Sequence, residues 1–197
     1  MKRVVCSVIA VAMLAAVSVA ALAGDEKKPA VDPAQQAMMQ AWMPGEHHEH
    51  MKALVGNFDY TIKVWSDPTT APSESTGKRS AEMILGGRYL SEKYSGVFMG
   101  MPFEGTGTLA YDNTQKKYLS TWIDNMSTGI MVATGQCEKG PAWTMNGEMA
   151  DPMSGKMVPT RSVTKVVDAD HLVFEMYCPG PDGKEFKMME IAATRTK

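Results

Sequence analysis

The chain has 197 residues, 44% of them hydrophobic and 21% charged, with a formal charge of −2 at neutral pH. That length suits one domain. Mild acidity with charges scattered singly excludes a nucleic-acid binder, whose affinity rests on clustered Lys and Arg neutralising phosphates.

Residues 1–23 read as a removable signal peptide: Lys2 and Arg3 form a basic start, residues 4–19 are almost wholly apolar, and Ala21-Leu22-Ala23 is a small-x-small cleavage site. Cleavage leaves 174 residues from Gly24 with a charge of −4 and no membrane span, so a periplasmic or secreted location is expected. Cys6 lies inside the signal, far from the cut, and cannot become a lipidated first residue. Residues 24–33 (GDEKKPAVDP) are charged and non-periodic, as in a flexible tether. Residues 34–55 are expected to hold two short helices. In the first, Ala34, Ala37, Met38, Ala41 and Trp42 recur at helical spacing before Pro44-Gly45 stops it; the second, 46–55, runs into Gly56.

From 56 to 197 the pattern changes to short strand-like runs: 57–65, 77–85, 88–98, 103–111, 117–124, 128–137, 142–150, 157–167, 171–178 and 185–195. Between them lie turn-forming stretches at 73–76, Gly86-Gly87, 100–102, Asp112-Asn113, 125–127, Lys139-Gly140, 151–155, Ala169-Asp170 and 179–183. Connections this short exclude parallel crossovers, so neighbours pair as an antiparallel meander. The expected fold is all-β: a closed up-and-down barrel of about ten strands. Closure sets the start of the first strand beside the end of the last, so that Arg195 meets Phe58 next to Gly56 and plugs that end through a cation–π contact. Cys137 and Cys178 end oppositely running strands and so lie at opposite rims. A disulfide needs Cα atoms within about 7 Å, so two buried thiols, not joined to each other, are expected.

Gly-x-aromatic (Gly56, Asn57, Phe58) after a short helix, with an arginine in the last strand, resembles the lipocalin and fatty-acid-binding superfamily, although Phe58 stands where lipocalins usually carry tryptophan. Closer motifs are Ile84-Leu85-Gly86-Gly87-Arg88-Tyr89-Leu90, Phe103-Glu104-Gly105, Tyr111-Asp112-Asn113, the run from Trp122-Ile123-Asp124-Asn125 to Gly129, Gly147-Glu148 with Asp151-Pro152, and Met189-Glu190-Ile191 through Thr194-Arg195. These are similar to the bacterial family called domain of unknown function 1579, over nearly all of 45–197. The resemblance implies a lipocalin-like barrel and no established activity.

Trp122 and Asp124 share a face of their strand and, with Asn125, are candidates for a polar anchor at the barrel mouth. The competing reading is that Asp124, Asn125 and Ser127 satisfy backbone donors in a turn. In the last hairpin, a two-residue Asp182-Gly183 turn would set Cys178 opposite Lys187 and Glu175 opposite Glu190. That carboxylate pair is a candidate acid/base couple. The other face, with Leu172, Phe174, Met176, Met189 and Ile191, is the better interior, which turns the Glu pair outward, eased by solvent, Thr164 or lysines.

His47, His50 and Met51 fall on one helical face and are weak candidates for a soft or borderline metal. Haem would need an axial histidine inside the barrel, where only His171 lies in a strand. The fourfold spacing of Met145, Met149, Met153 and Met157 is accidental, because Asp151-Pro152 and Ser154-Gly155 break any helix there. The 18 methionines, 16 of them after the signal, instead suit an adaptable apolar lining. No cofactor is expected. The reading is an exported, non-enzymatic barrel that binds one small apolar or amphipathic ligand; the alternatives are an enzyme using Asp124 or the Glu175/Glu190 pair, and a Met/His-assisted metal or haem binder.

Overall fold

A computed structural model of the chain describes residues 32–138 and 142–197. The expected signal peptide, most of the tether and the Lys139-Gly140 turn lie outside the described residues. Helix α1 (Pro33–Trp42) and helix α2 (Glu46–Met51) come first, and a 3-10 turn (Lys52–Leu54) leads into the sheet. Pro33, expected in the tether, opens α1, a position where its missing N–H costs nothing. The apolar stripe of α1 is not buried: Trp42 is 61% exposed, and the end of the helix is held by polar contacts, Arg88 Nε donating to Trp42 O and Asn113 Nδ2 to Met43 O.

Ten strands follow: β1 (Gly56–Val64), β2 (Ser73–Ile84), β3 (Tyr89–Phe98), β4 (Met101–Asp112), β5 (Lys117–Asp124), β6 (Met131–Glu138), β7 (Ala142–Ala150), β8 (Met157–Val166), β9 (His171–Pro179) and β10 (Glu185–Arg195). Each pairs antiparallel with its sequence neighbour and β10 pairs with β1, closing the barrel and leaving no open edge. Closure sets Phe58 across from Arg195 on one side and Arg79 on the other. The Arg195 guanidinium lies 4.5 Å from the Phe58 ring centroid. It donates to Val55 O (2.7 Å) and Ala169 O (3.0 Å), tying the barrel end to the chain that enters it. Gly56 makes room for this: its φ is +133°, and a Cβ there would fall within 3.2 Å of Arg195 Cζ.

The base is filled by Met51 and Leu54 from the N-terminal segment, with Phe58, Leu90, Tyr118 and Trp143 from the strands, all 3% exposed or less. Burying an apolar side chain of this size contributes about 1.5–3 kcal/mol, so the helical entry is part of the core.

Some local expectations are corrected. Residues 73–76 are not a turn but the start of β2, since β1 offers their backbone a partner from Val64↔Ser73 to Thr61↔Thr76; the connection is 65–72, with Asp67 Oδ1 accepting from the Thr69 amide. The β3–β4 turn is Met99-Gly100, and Pro102 belongs to β4. β6 starts at Met131 rather than 128. The β9–β10 loop spans 180–184, and a bulge between Lys187 and Met189 pairs Cys178 with Phe186 instead of Lys187 while keeping Glu175 across from Glu190. Cys137 and Cys178 close β6 and β9, which run in opposite directions, and form no disulfide; Cys178 is buried but Cys137 only half-buried.

Candidate functional site

The inward faces of the strands do not fill the barrel. A cavity of about 360 Å³ remains, bounded below by Leu54 and Trp143 and reaching the far rim at Phe98, Asp124, Met126 and Met131. Its size falls at the lower end of small-molecule sites. Its β9–β10 wall carries Phe174, Met176 and Met189 with Leu172 and Ile191. Further methionines, Met126, Met131, Met145, Met149 and Met188, line other parts. Unbranched thioethers give that lining rotational freedom and polarisability, so it can follow the shape of an apolar guest. By contrast Met153 and Met157 are 93% and 57% exposed on the rim.

Trp122 and Asp124 meet at the mouth. The indole Nε1 donates to Asp124 Oδ2 (2.8 Å), and Asp124 Oδ1 accepts the Met126 amide (2.9 Å). The indole lies over Gly105 and Gly107 of β4: a Cβ at Gly105 would stand 2.6 Å from Trp122 Cη2, and one at Gly107 would stand 3.2 Å from Cε3. Gly105-Thr106-Gly107 is thus a seat for the ring. Tyr94 meets the indole edge-on at 5.3 Å, and Phe103 stacks nearly parallel to it at 6.4 Å. Asn125 stands apart from the cavity lining. Its Oδ1 accepts the Glu104 amide (3.0 Å) and its Nδ2 donates to Pro102 O (3.0 Å), so it pins the β5–β6 loop to β4.

Deeper in the barrel lies a polar cluster that the sequence reading passes over. Arg79, 4% exposed, donates from Nη1 to Leu54 O (2.9 Å) and from Nε to Tyr94 OH (3.1 Å) and Glu92 Oε1 (3.0 Å), and pairs through Nη2 with the same carboxylate oxygen. Its guanidinium sits 5.0 Å from the Phe58 ring centroid, so Phe58 contacts both Arg79 and Arg195. Burial opposes the Arg79 charge, but the Glu92 carboxylate and the Tyr94 hydroxyl outweigh it and hold its pKa above the ordinary value. Burial first, then the Glu92 charge, pushes the Tyr94 phenol well up, so it stays neutral. The signal was present: Arg79 is in phase with Ala81, and Glu92 and Tyr94 with Leu90, all on inward faces. β8 adds three lumen-facing hydroxyls, Thr160, Ser162 and Thr164; Thr164 therefore faces away from the Glu175/Glu190 pair.

The other candidates lie elsewhere. Glu175 and Glu190 are held by Lys187 (3.2 Å to Glu175 Oε1; Glu190 in closer contact), and Lys165 Nζ lies 3.1 Å from Glu175 Oε2. Burial raises the Glu175 pKa less than these lysines lower it, so the carboxyl sits below its ordinary range. His47 and His50 meet edge-to-face at 5.8 Å, with His47 also stacked on Tyr111 (3.8 Å) and His50 near Glu46 (3.8 Å), whereas Met51 is fully buried in the core. Among the described residues no group of three or more His, Cys, Asp or Glu is disposed to hold a metal ion. His171 is half-exposed on the outside, with Nδ1 2.8 Å from Asp168 Oδ1.

His48 caps α2 instead: it is 4% exposed and its Nδ1 accepts the Gly45 amide (3.0 Å), which requires the neutral ring. Burial, then the His47 and Arg88 charges, holds its pKa below the ordinary value, and burial and His50 do the same for His47. A folded-state pKa below the unfolded value of about 6.5 means that the unfolded chain takes the proton first. Stability should therefore be level above about pH 6.5 and fall as pH drops from there through the lowered folded values. Denaturant midpoints between pH 5 and 8 measure this. His48→Gln, which keeps an acceptor but cannot titrate, should reduce the slope; an unchanged slope would remove His48 from the account.

The family model described as "Protein of unknown function (DUF1579)" matches residues 43–195. The chain belongs to this family. No curated protein matches the chain. Among solved structures the DUF1579 chain is similar to Rv2717c from M. tuberculosis, with 16% identity and a TM-score of 0.55, covering 79% of this chain and 100% of that one. It is also similar to the S-type phycobiliprotein lyase CPES from Guillardia theta, with 8% identity and a TM-score of 0.54, covering 81% and 97%. At these identities the likeness is one of fold: a closed lipocalin-like barrel.

Proposed function

We propose that this DUF1579 barrel is an exported carrier that holds one small, mostly apolar molecule in its interior and does no chemistry on it. The observation that carries this reading is the cavity of about 360 Å³ inside a closed barrel, walled by Phe174, Met176 and Met189 and bearing polar groups at few points. A structural module would be expected to fill its interior to ordinary density. Export is supported by the basic start, the apolar run and the Ala21-Leu22-Ala23 site. Recovery from the periplasmic fraction or medium with an intact mass that starts at Gly24 is the expected result.

The same preparation tests binding. An uncharged, environment-sensitive dye such as N-phenyl-1-naphthylamine should gain fluorescence at one site per chain. Trp122→Ala, which removes one aromatic wall, should weaken that binding by roughly tenfold while the barrel stays folded. Equal losses of binding and folding would make Trp122 ordinary core, and absence of a dye site in the wild-type protein would refute the carrier.

A further inference from the structure

The charge pattern of the cavity constrains the head group of its guest. Among the described residues three charged side chains line the cavity: Arg79, Glu92 and Asp124. Arg79 is the one cation, and it is already committed. Its Nε and Nη2 hold Glu92, its Nη1 holds Leu54 O, and its guanidinium carbon lies over the Phe58 ring, 5.0 Å from the centroid. A carboxylate or phosphate head recognised by arginine needs a fork of paired N–H donors turned toward it. Here the Nε–Nη2 edge is given to Glu92, whose carboxylate already balances the guanidinium charge, and an anionic head would meet the second carboxylate at the mouth.

Asp124 is the opposite case. Its oxygens take the Trp122 indole N–H and the Met126 amide, both uncharged donors that leave the negative charge in place and lone pairs unfilled. Beside it stands the indole, the ring with the strongest attraction for cations, with one face against Gly105 and Gly107 and Phe103 and Tyr94 around it. A carboxylate hydrogen-bonded to the edge of an aromatic cluster is a complementary surface for an ammonium group. The apolar wall of Phe174, Met176 and Met189 receives whatever chain trails from it.

We infer that the barrel takes amphiphiles whose polar end is a protonated amine or quaternary ammonium, bound at Asp124 and Trp122, and discriminates against fatty-acid-like anions. This inference rests on the carrier reading. The experiment is displacement of the bound uncharged dye from the purified protein by chain-matched amphiphiles below their micelle concentrations: dodecyltrimethylammonium and laurate. The ammonium compound should displace the dye at roughly tenfold lower concentration than laurate, the size expected of one ion pair with one cation–π contact. Asp124→Asn keeps an acceptor for the indole N–H but loses the charge, and should bring the two compounds within about threefold of each other, each displacement being referred to that variant's own dye affinity.

Laurate displacing as well as or better than the ammonium compound would overturn the inference while leaving the carrier intact, as would an ammonium preference that survives in Asp124→Asn. A wild-type protein with no dye site would remove both. The head-group order in the wild-type protein decides the matter even if Asp124→Asn fails to fold.

Discussion

Arg79→Met should lower stability by about 3–5 kcal/mol, the cost of breaking a buried ion pair by removing one partner. The pair is 3% and 22% exposed at its two side chains, so loss of the guanidinium strands the Glu92 carboxylate inside the barrel. Methionine restores much of the lost volume, so the deficit reads the uncompensated charge rather than a void. Leu54 O and Tyr94 OH also lose their donor, and Phe58 loses one of its two arginine contacts. The melting temperature should drop by an amount of order 10 °C for a domain of this size. Arg79→Met combined with Glu92→Gln should recover part of the loss, since the stranded charge is then gone. Thermal and urea denaturation of the single and double variants measure this. A single variant within 1 kcal/mol of wild type would mean that the interior is wet enough to solvate Glu92.

Arg195→Ala should cost about 2–3 kcal/mol, and should loosen the base of the barrel more than its mouth. The side chain makes two hydrogen bonds to backbone carbonyls, worth about 1 kcal/mol each or more because the donor is charged, and one cation–π contact of about 0.5–1 kcal/mol. Its ion pair with Asp170, at 3.7 Å and with both partners partly exposed, adds little. What distinguishes this variant is location: the Arg195 side chain reaches both Val55 O, just before β1, and Ala169 O, in the β8–β9 turn. Amide hydrogen exchange should therefore quicken first in residues 51–58 and 168–172, with the Trp122 side of the barrel following later. Uniform acceleration would show that Arg195 is one more contact and not a closure.

Much of this architecture was legible along the chain because a barrel repeats a single rule. Alternation with period two and a turn every eight to twelve residues specify an antiparallel meander, and closure then forces Phe58 and Arg195 together whatever the details between them. The same alternation put Leu172, Phe174, Met176, Met189 and Ile191 on one face, and all five line the cavity. The lysines around Glu175 and Glu190 follow from the outward turn of that hairpin face.

What the chain could not disclose depends on pairing between strands. Arg79 shares the inward phase of Ala81, but its partners are set by register, which brings Tyr94 across from it, Glu92 within reach and Phe58 beside it. The bulge between Lys187 and Met189 shifts the end of one hairpin by one residue, a local departure that alternation does not announce. Whether inward side chains fill the lumen or leave 360 Å³ is likewise a property of the whole, because it is a small difference between the volume ten strands enclose and the volume their side chains occupy. Periodicity along the chain determined which way each residue faces; the tertiary structure alone decided what it faces, and so how much space and which charges remain for a guest.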